Sequence, residues 1–124
     1  VEWHRTLYFV NELASDVRVI IPHCGLLNGG FERLCRSGTW ERRNVFTDTA
    51  LAPSQVIAEY VEHYGHTRIM YGSDFPFGDP VEEYRKIVEM ELAEAEKEAI
   101  LMGNIQALLS DANRPGRVGS VSGE

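Results

Sequence analysis

Cysteine is scarce in this chain. Cys24 and Cys35 are the two it has, too few for the disulfide framework of a small secreted domain. No secretory segment opens the sequence, and these two absences together set the expectation of a reducing, cytoplasmic location. The first residue is Val1 rather than methionine, as expected of a processed or truncated product or of simple removal of the initiator. No apolar run approaches the ~18 residues that a membrane-spanning helix needs, so no membrane is expected as a partner. Positive charge is in deficit as well. Twelve Lys plus Arg against nineteen Asp plus Glu leave a formal charge of −7, a balance that repels nucleic acid and anionic lipid. Arg33, Arg36, Arg42 and Arg43 are the nearest thing to a basic patch.

What is present suits one soluble domain. Hydrophobic residues at 44% and charged residues at 25% lie near globular averages, which disfavours disordered, collagen-like and membrane classes. A chain of 124 residues can bury roughly two thirds of its unfolded surface in a single core.

The densest signal is Arg68 to Pro80, RIMYGSDFPFGDP. Arg68 to Gly72 is mostly apolar and contains a β-branched and an aromatic residue, as suits a strand covered on both faces. Gly72, Pro76, Gly78 and Pro80 end it. Asp79 before Pro80, with Glu82 three positions on, marks a helix start through an acceptor at the N-cap, proline at the first helical position and Glu at N3. Asp74 therefore stands in the loop between a strand and a helix.

Two earlier stretches repeat this unit. Val17 to Pro22 is a compact apolar strand candidate that ends at His23, followed by Gly25, Gly29 and Gly30 and a short helical face of Phe31, Leu34 and Cys35. Val45 and Phe46 lead to Asp48, then to a helix carrying Val56, Ile57, Tyr60, Val61 and Tyr64 and stopped by Gly65. The third helix carries Tyr84, Ile87 and Val88. His23, Asp48 and Asp74 are thus 25 and 26 residues apart, each just past a strand. Strand–helix repeats at this spacing predict parallel strands with all three polar residues at one carboxyl edge, where α/β folds place chemistry. Leu7, Val10 and Leu13 predict a helix before the first strand, and Ala99 to Leu109 a closing one. Residues 110–124 are rich in Gly and Ser and lack periodicity, which predicts a flexible tail. Three parallel strands cannot close a barrel, and an open sheet leaves edges that self-association or a partner segment must cover.

Four blocks in order resemble the carboxyl-terminal part of the amidohydrolase-related family, metal-dependent (β/α)8 barrels of the amidohydrolase superfamily. They are VRVIIPHCG from Val17, NVFTDTA from Asn44, RIMYGSDFP from Arg68 and EKEAILMGNIQALL from Glu96, the last with the Gly103–Asn104 step. The resemblance implies an α/β fold in which residues 1–109 form a partial TIM barrel, its last three βα units plus a terminal helix. It also implies roles. Asp74 matches the aspartate of the eighth strand, which contacts the metal and takes a proton from metal-bound water, and His23 matches the sixth-strand histidine that faces the reacting carbonyl or carboxylate. A divalent ion, with zinc expected, and a small-molecule substrate follow for the complete protein.

The sequence departs from that pattern in one respect. The family's His-x-His pair and its fifth-strand histidine have no counterpart, and His4 is a poor match for the latter. A catalytic zinc site keeps three protein ligands, so this chain alone is not expected to hold the metal tightly. Other polar residues have plainer readings. Asp48 with Thr49 can bond its own loop, His63 and His66 suit a solvated helix end, Cys24 and Cys35 suit small buried positions, and Glu89 to Glu98 suits a solvated helix face. Gly29-Gly30 lacks the pattern of a phosphate loop, while Phe75, Phe77 and Trp40 either line a substrate pocket or pack the loop.

The functional expectation is a carboxyl-terminal portion of a metal-dependent amidohydrolase-type hydrolase, inactive alone, acting on a small carbonyl or carboxylate compound through metal-activated water. A decarboxylase of the same family is the first alternative. A non-catalytic assembly or binding module that keeps a partial barrel is the second, and a split enzyme completed by a partner polypeptide the third.

Overall fold

The computed structural model describes residues 3–26 and 29–112. Three parallel strands form one sheet in the order β1 (Val19–Ile21), β2 (Val45–Asp48), β3 (Ile69–Met70), so sequence neighbours are sheet neighbours. The register pairs Ile21 with Thr47 and Asp48 with Met70. The strands are shorter than the apolar runs that predict them, because Pro22 and Gly72 bring the ladder to an early end.

Helices follow each strand. Helix α1 (Trp3–Tyr8) precedes β1 and widens into a π turn over Phe9–Leu13; α2 (Gly30–Arg36) follows β1, α3 (Ser54–Tyr64) follows β2, and α4 (Pro80–Val88) follows β3. Asp79 caps α4 as its sequence predicts, accepting the Val81 N–H at 2.9 Å. Glu82 does not complete a capping box; its carboxylate holds Arg85 at 2.7 Å instead. The acidic run is not one face. Glu89 to Ala93 leaves the helix, and α5 (Glu94–Glu98) restarts with Glu96 accepting the Ala93 N–H at 3.0 Å. A second π turn, Ala99–Gly103, joins α5 to α6 (Asn104–Ala112). Ser110, Asp111 and Ala112 are therefore helical, and Asp111 forms an ion pair with Arg18, while residues 113–124 of the predicted tail lie outside the described residues.

Side chains alternate across the sheet, and Val45, Thr47 and Ile69 point under the helices, where all three are fully buried. Trp40 belongs to this core rather than to a pocket: it is fully buried and stacks edge-on against Tyr60 at 5.3 Å. Phe75 and Phe77 are exposed. Gly30 lets α2 approach α1, since a Cβ there would run into the Trp3 ring and the Gly25 carbonyl.

The two sheet edges differ. The edge at β3 is covered, because the Tyr71 N–H donates to the Ile100 carbonyl at 2.8 Å and Asn104 Nδ2 donates to the carbonyls of His66 (2.5 Å) and Ile69 (2.8 Å). This gives the Gly103–Asn104 step a physical role. The edge at β1 borders an apolar groove of about 280 Å³ lined by Phe9, Val10, Ile20 and Pro22, and Ile20 is half exposed on the sheet face away from the helices. Among the described residues no helix is long and apolar enough to cross a membrane.

Candidate active site

β1 and β2 shape the first half of the site. After Ile21 the chain turns sharply, and His23 (φ 60°) and Cys24 (φ 53°) both take left-handed conformations, each costing about 1–3 kcal/mol for a residue with a side chain. Two consecutive β2 side chains hold them there. Thr47 Oγ1 accepts the Cys24 N–H at 3.0 Å and donates to the Ile21 carbonyl at 2.5 Å, and Asp48 Oδ1 accepts the His23 N–H at 3.1 Å. The same Asp48 oxygen accepts the Ala50 N–H at 3.0 Å, the local loop bond expected from the sequence.

β3 supplies the second half. Asp74 is also left-handed (φ 56°), and its carbonyl accepts the N–H groups of Phe77 (2.8 Å) and Gly78 (3.1 Å), closing a tight turn around the carboxylate. Only a residue without Cβ fits at Gly78, which lies against the Ser73 carbonyl. The outcome is convergence. His23 Nδ1 lies 3.5 Å from Asp48 Oδ1 and His23 Nε2 lies 3.7 Å from Asp74 Oδ2, an imidazole between two carboxylates at the carboxyl edge of the sheet. The Asp74 side chain is the most open of the three at 36% exposure, against 22% for the other two.

The remaining polar residues stand apart from this cluster. His63 Nδ1 lies 2.9 Å from the Glu59 carbonyl and His66 faces Glu96 at 3.8 Å, both at the amino-terminal side of β3. His4 is exposed on α1. Cys24 is fully buried; burial pushes its thiol up to about 12, against a smaller opposing effect of the Thr47 hydrogen bond, so at neutral pH it is protonated. Cys35 is a free, half-buried thiol.

A divalent metal does not fit the described residues alone. No group of three or more His, Cys, Asp or Glu is arranged among them to hold an ion, and one Asp48 oxygen is engaged by two main-chain N–H groups. Asp74 is the carboxylate left facing outward.

Sequence reasoning gave Asp48 a local loop role and missed its hold on His23. The spacing of 25 and 26 residues between His23, Asp48 and Asp74 places them at one edge and carries no trace of that bond. Lys86 and Glu83 were missed altogether: Lys86 Nζ donates to the carbonyls of Thr49 (3.0 Å) and Ala52 (2.6 Å) and to Glu83 (2.6 Å), and Glu83 accepts the Leu51 N–H at 3.2 Å. Helix α4 thereby straps down the loop that follows Asp48.

Solved proteins share this fold. A 2,6-dihydroxybenzoate decarboxylase complexed with 2,6-dihydroxybenzoate superposes with a TM-score of 0.63 at 18% identity, over 75% of this chain and 34% of that one. A TIM-barrel protein from Bordetella bronchiseptica gives 0.64 at 20% identity, over 81% and 36%. A dihydroxybenzoic acid decarboxylase from Polaromonas sp. JS666, with bound manganese and the inhibitor 2-nitroresorcinol, gives 0.62 at 20% identity, over 89% and 38%. This chain therefore corresponds to about a third of each barrel. No curated protein matches the sequence. A family model described as amidohydrolase matches residues 6–110, and the chain belongs to the amidohydrolase family as a partial α/β TIM barrel.

Proposed function

We propose that this chain is the carboxyl-terminal portion of an amidohydrolase-type enzyme, and that His23 and Asp74 are its proton-handling groups at a small carbonyl or carboxylate substrate. The convergence of imidazole and carboxylate supports this reading: 3.7 Å between His23 Nε2 and Asp74 Oδ2 is too long for a direct hydrogen bond and leaves a bridging position for a water or substrate oxygen. Asp74, the more open group, would take the proton of an attacking water, and His23 would shuttle a proton at the substrate oxygen beside it. The chain would be incomplete by itself. Three strands do not enclose a pocket, and the β1 groove would be covered by another barrel segment or a second copy. Asp74 would supply one metal ligand and the others would have to come from outside the described residues, so no metal-dependent step is assigned to this chain.

A decarboxylase is the second reading, favoured by the dihydroxybenzoate decarboxylases among the structures of the same fold. There the bond between ring carbon and carboxylate breaks, carbon dioxide leaves, and that carbon takes a proton from Asp74 or His23. The test uses the full-length gene product with small esters, lactones and hydroxybenzoates, following hydrolysis and carbon dioxide release separately. Asp74→Asn and His23→Gln should each lower turnover by about 100-fold or more in one of the two assays. Unchanged turnover in Asp74→Asn would remove Asp74 from the reaction.

A further inference from the structure

We propose that Asp48 is a positioning residue that fixes the orientation and tautomer of the His23 imidazole, a proposal that rests on the reading of His23 as a proton-handling group. Three observations carry it. The first is the main chain: Asp48 Oδ1 accepts the His23 N–H and the Ala50 N–H, so one carboxylate oxygen anchors both the left-handed turn that bears the ring and its own loop. The second is the ring: His23 Nδ1 is buried without a hydrogen-bond partner, and Asp48 Oδ1 lies 3.5 Å from it. A buried N–H with no partner is costly, and a carboxylate beside it favours the proton on Nδ1. Such contacts are often long in ligand-free sites and shorten when the site closes. The third is the opposite side of the ring, where Nε2 faces Asp74 across 3.7 Å, the more exposed flank of the cluster.

With its proton on Nδ1, the ring turns the Nε2 lone pair toward the open gap beside Asp74. Nε2 can then accept a proton from the bridging group, and the imidazolium so formed lies between two carboxylates. No electron or co-reactant is needed; the proton moves from the bridging oxygen to Nε2 and returns in the reverse step. Lys86 and Glu83 fix the far end of the Asp48 loop through Thr49, Ala52 and Leu51, which keeps the anchor from drifting.

The experiment uses the full-length protein labelled with 15N at histidine, with ring spectra recorded at alkaline pH, and kinetics for Asp48→Asn and His23→Gln. Asparagine retains an oxygen for the two main-chain N–H groups but removes the charge behind the ring. The wild-type spectrum should show His23 protonated on Nδ1. Asp48→Asn should populate the form protonated on Nε2 and lower kcat by roughly 100-fold or more with KM little changed, the scale expected when the carboxylate behind a proton-transferring histidine is neutralised. A wild-type ring protonated on Nε2 overturns the proposal even if no variant folds. Asp48→Asn with wild-type spectrum and kcat, alongside an inactive His23→Gln, overturns it while leaving the role of His23 intact. A fully active His23→Gln removes the role of His23 itself.

Discussion

Lys86 on α4 donates to the Ala52 carbonyl at 2.6 Å, joining the helix of the third βα unit to the loop of the second. The same ammonium binds the Thr49 carbonyl and the Glu83 carboxylate, and both ionic side chains are largely buried, at 17% and 13% exposure. Removing one member of such a pair leaves the other uncompensated. Lys86→Met should therefore destabilise the protein by about 2–3 kcal/mol in urea unfolding. The double variant Lys86→Met, Glu83→Gln should recover part of that loss. A loss in the double variant as large as the two single losses combined would show that the two residues act independently.

Thr47 makes a second prediction. Its hydroxyl bridges the Ile21 carbonyl and the Cys24 N–H in a fully buried position, so Thr47→Val keeps the shape and removes both bonds. The expected loss is about 2–4 kcal/mol, larger than that for Thr47→Ser, which keeps the hydroxyl and loses one methyl group. Urea midpoints for the two variants decide it.

The pH dependence of stability follows from buried acids. Burial raises the Cys24 thiol to about 12 from 9.0 and the Tyr60 hydroxyl to about 12 from 10.0. Both groups are neutral when protonated, so the folded state holds its protons to higher pH than the unfolded chain. Between about pH 9 and 12 the unfolded state binds fewer protons, and stability falls as pH rises. Unfolding midpoints should decline across this window, and Cys24→Ala with Tyr60→Phe should flatten the decline. Tyr60→Phe also removes a buried hydroxyl that lacks a hydrogen-bond partner within the protein, so at neutral pH it should be neutral or slightly stabilising.

Much of this architecture is legible in the sequence because the apolar runs at Val17, Val45 and Arg68 each end at a polar residue followed by a break. The spacing of His23, Asp48 and Asp74 reflects one structural period, which is why linear reading brings them to one edge. The bonds that link neighbouring units are not legible. Lys86 reaches Thr49 across 37 residues and Asp48 reaches His23 across 25, and neither bond leaves a periodic trace. The acidic run misleads because Glu96 is used to cap α5, and Trp40 misleads because an aromatic residue in a short turn looks exposed until the core around Tyr60 is seen. The widening of the closing helix at Ala99–Gly103 is set by tertiary bonds at Ile100 and Asn104 rather than by propensity.

The central claim is that His23 and Asp74 work together as the proton-handling groups of one site. A double-mutant cycle in the full-length enzyme measures it most directly, using turnover of the wild type, His23→Gln, Asp74→Asn and the double variant. Each single change should lower kcat by about 100-fold or more, and the double variant should be little worse than either, as for groups that work as a unit. Losses that multiply in the double variant, or a single variant with wild-type kcat, would contradict the account.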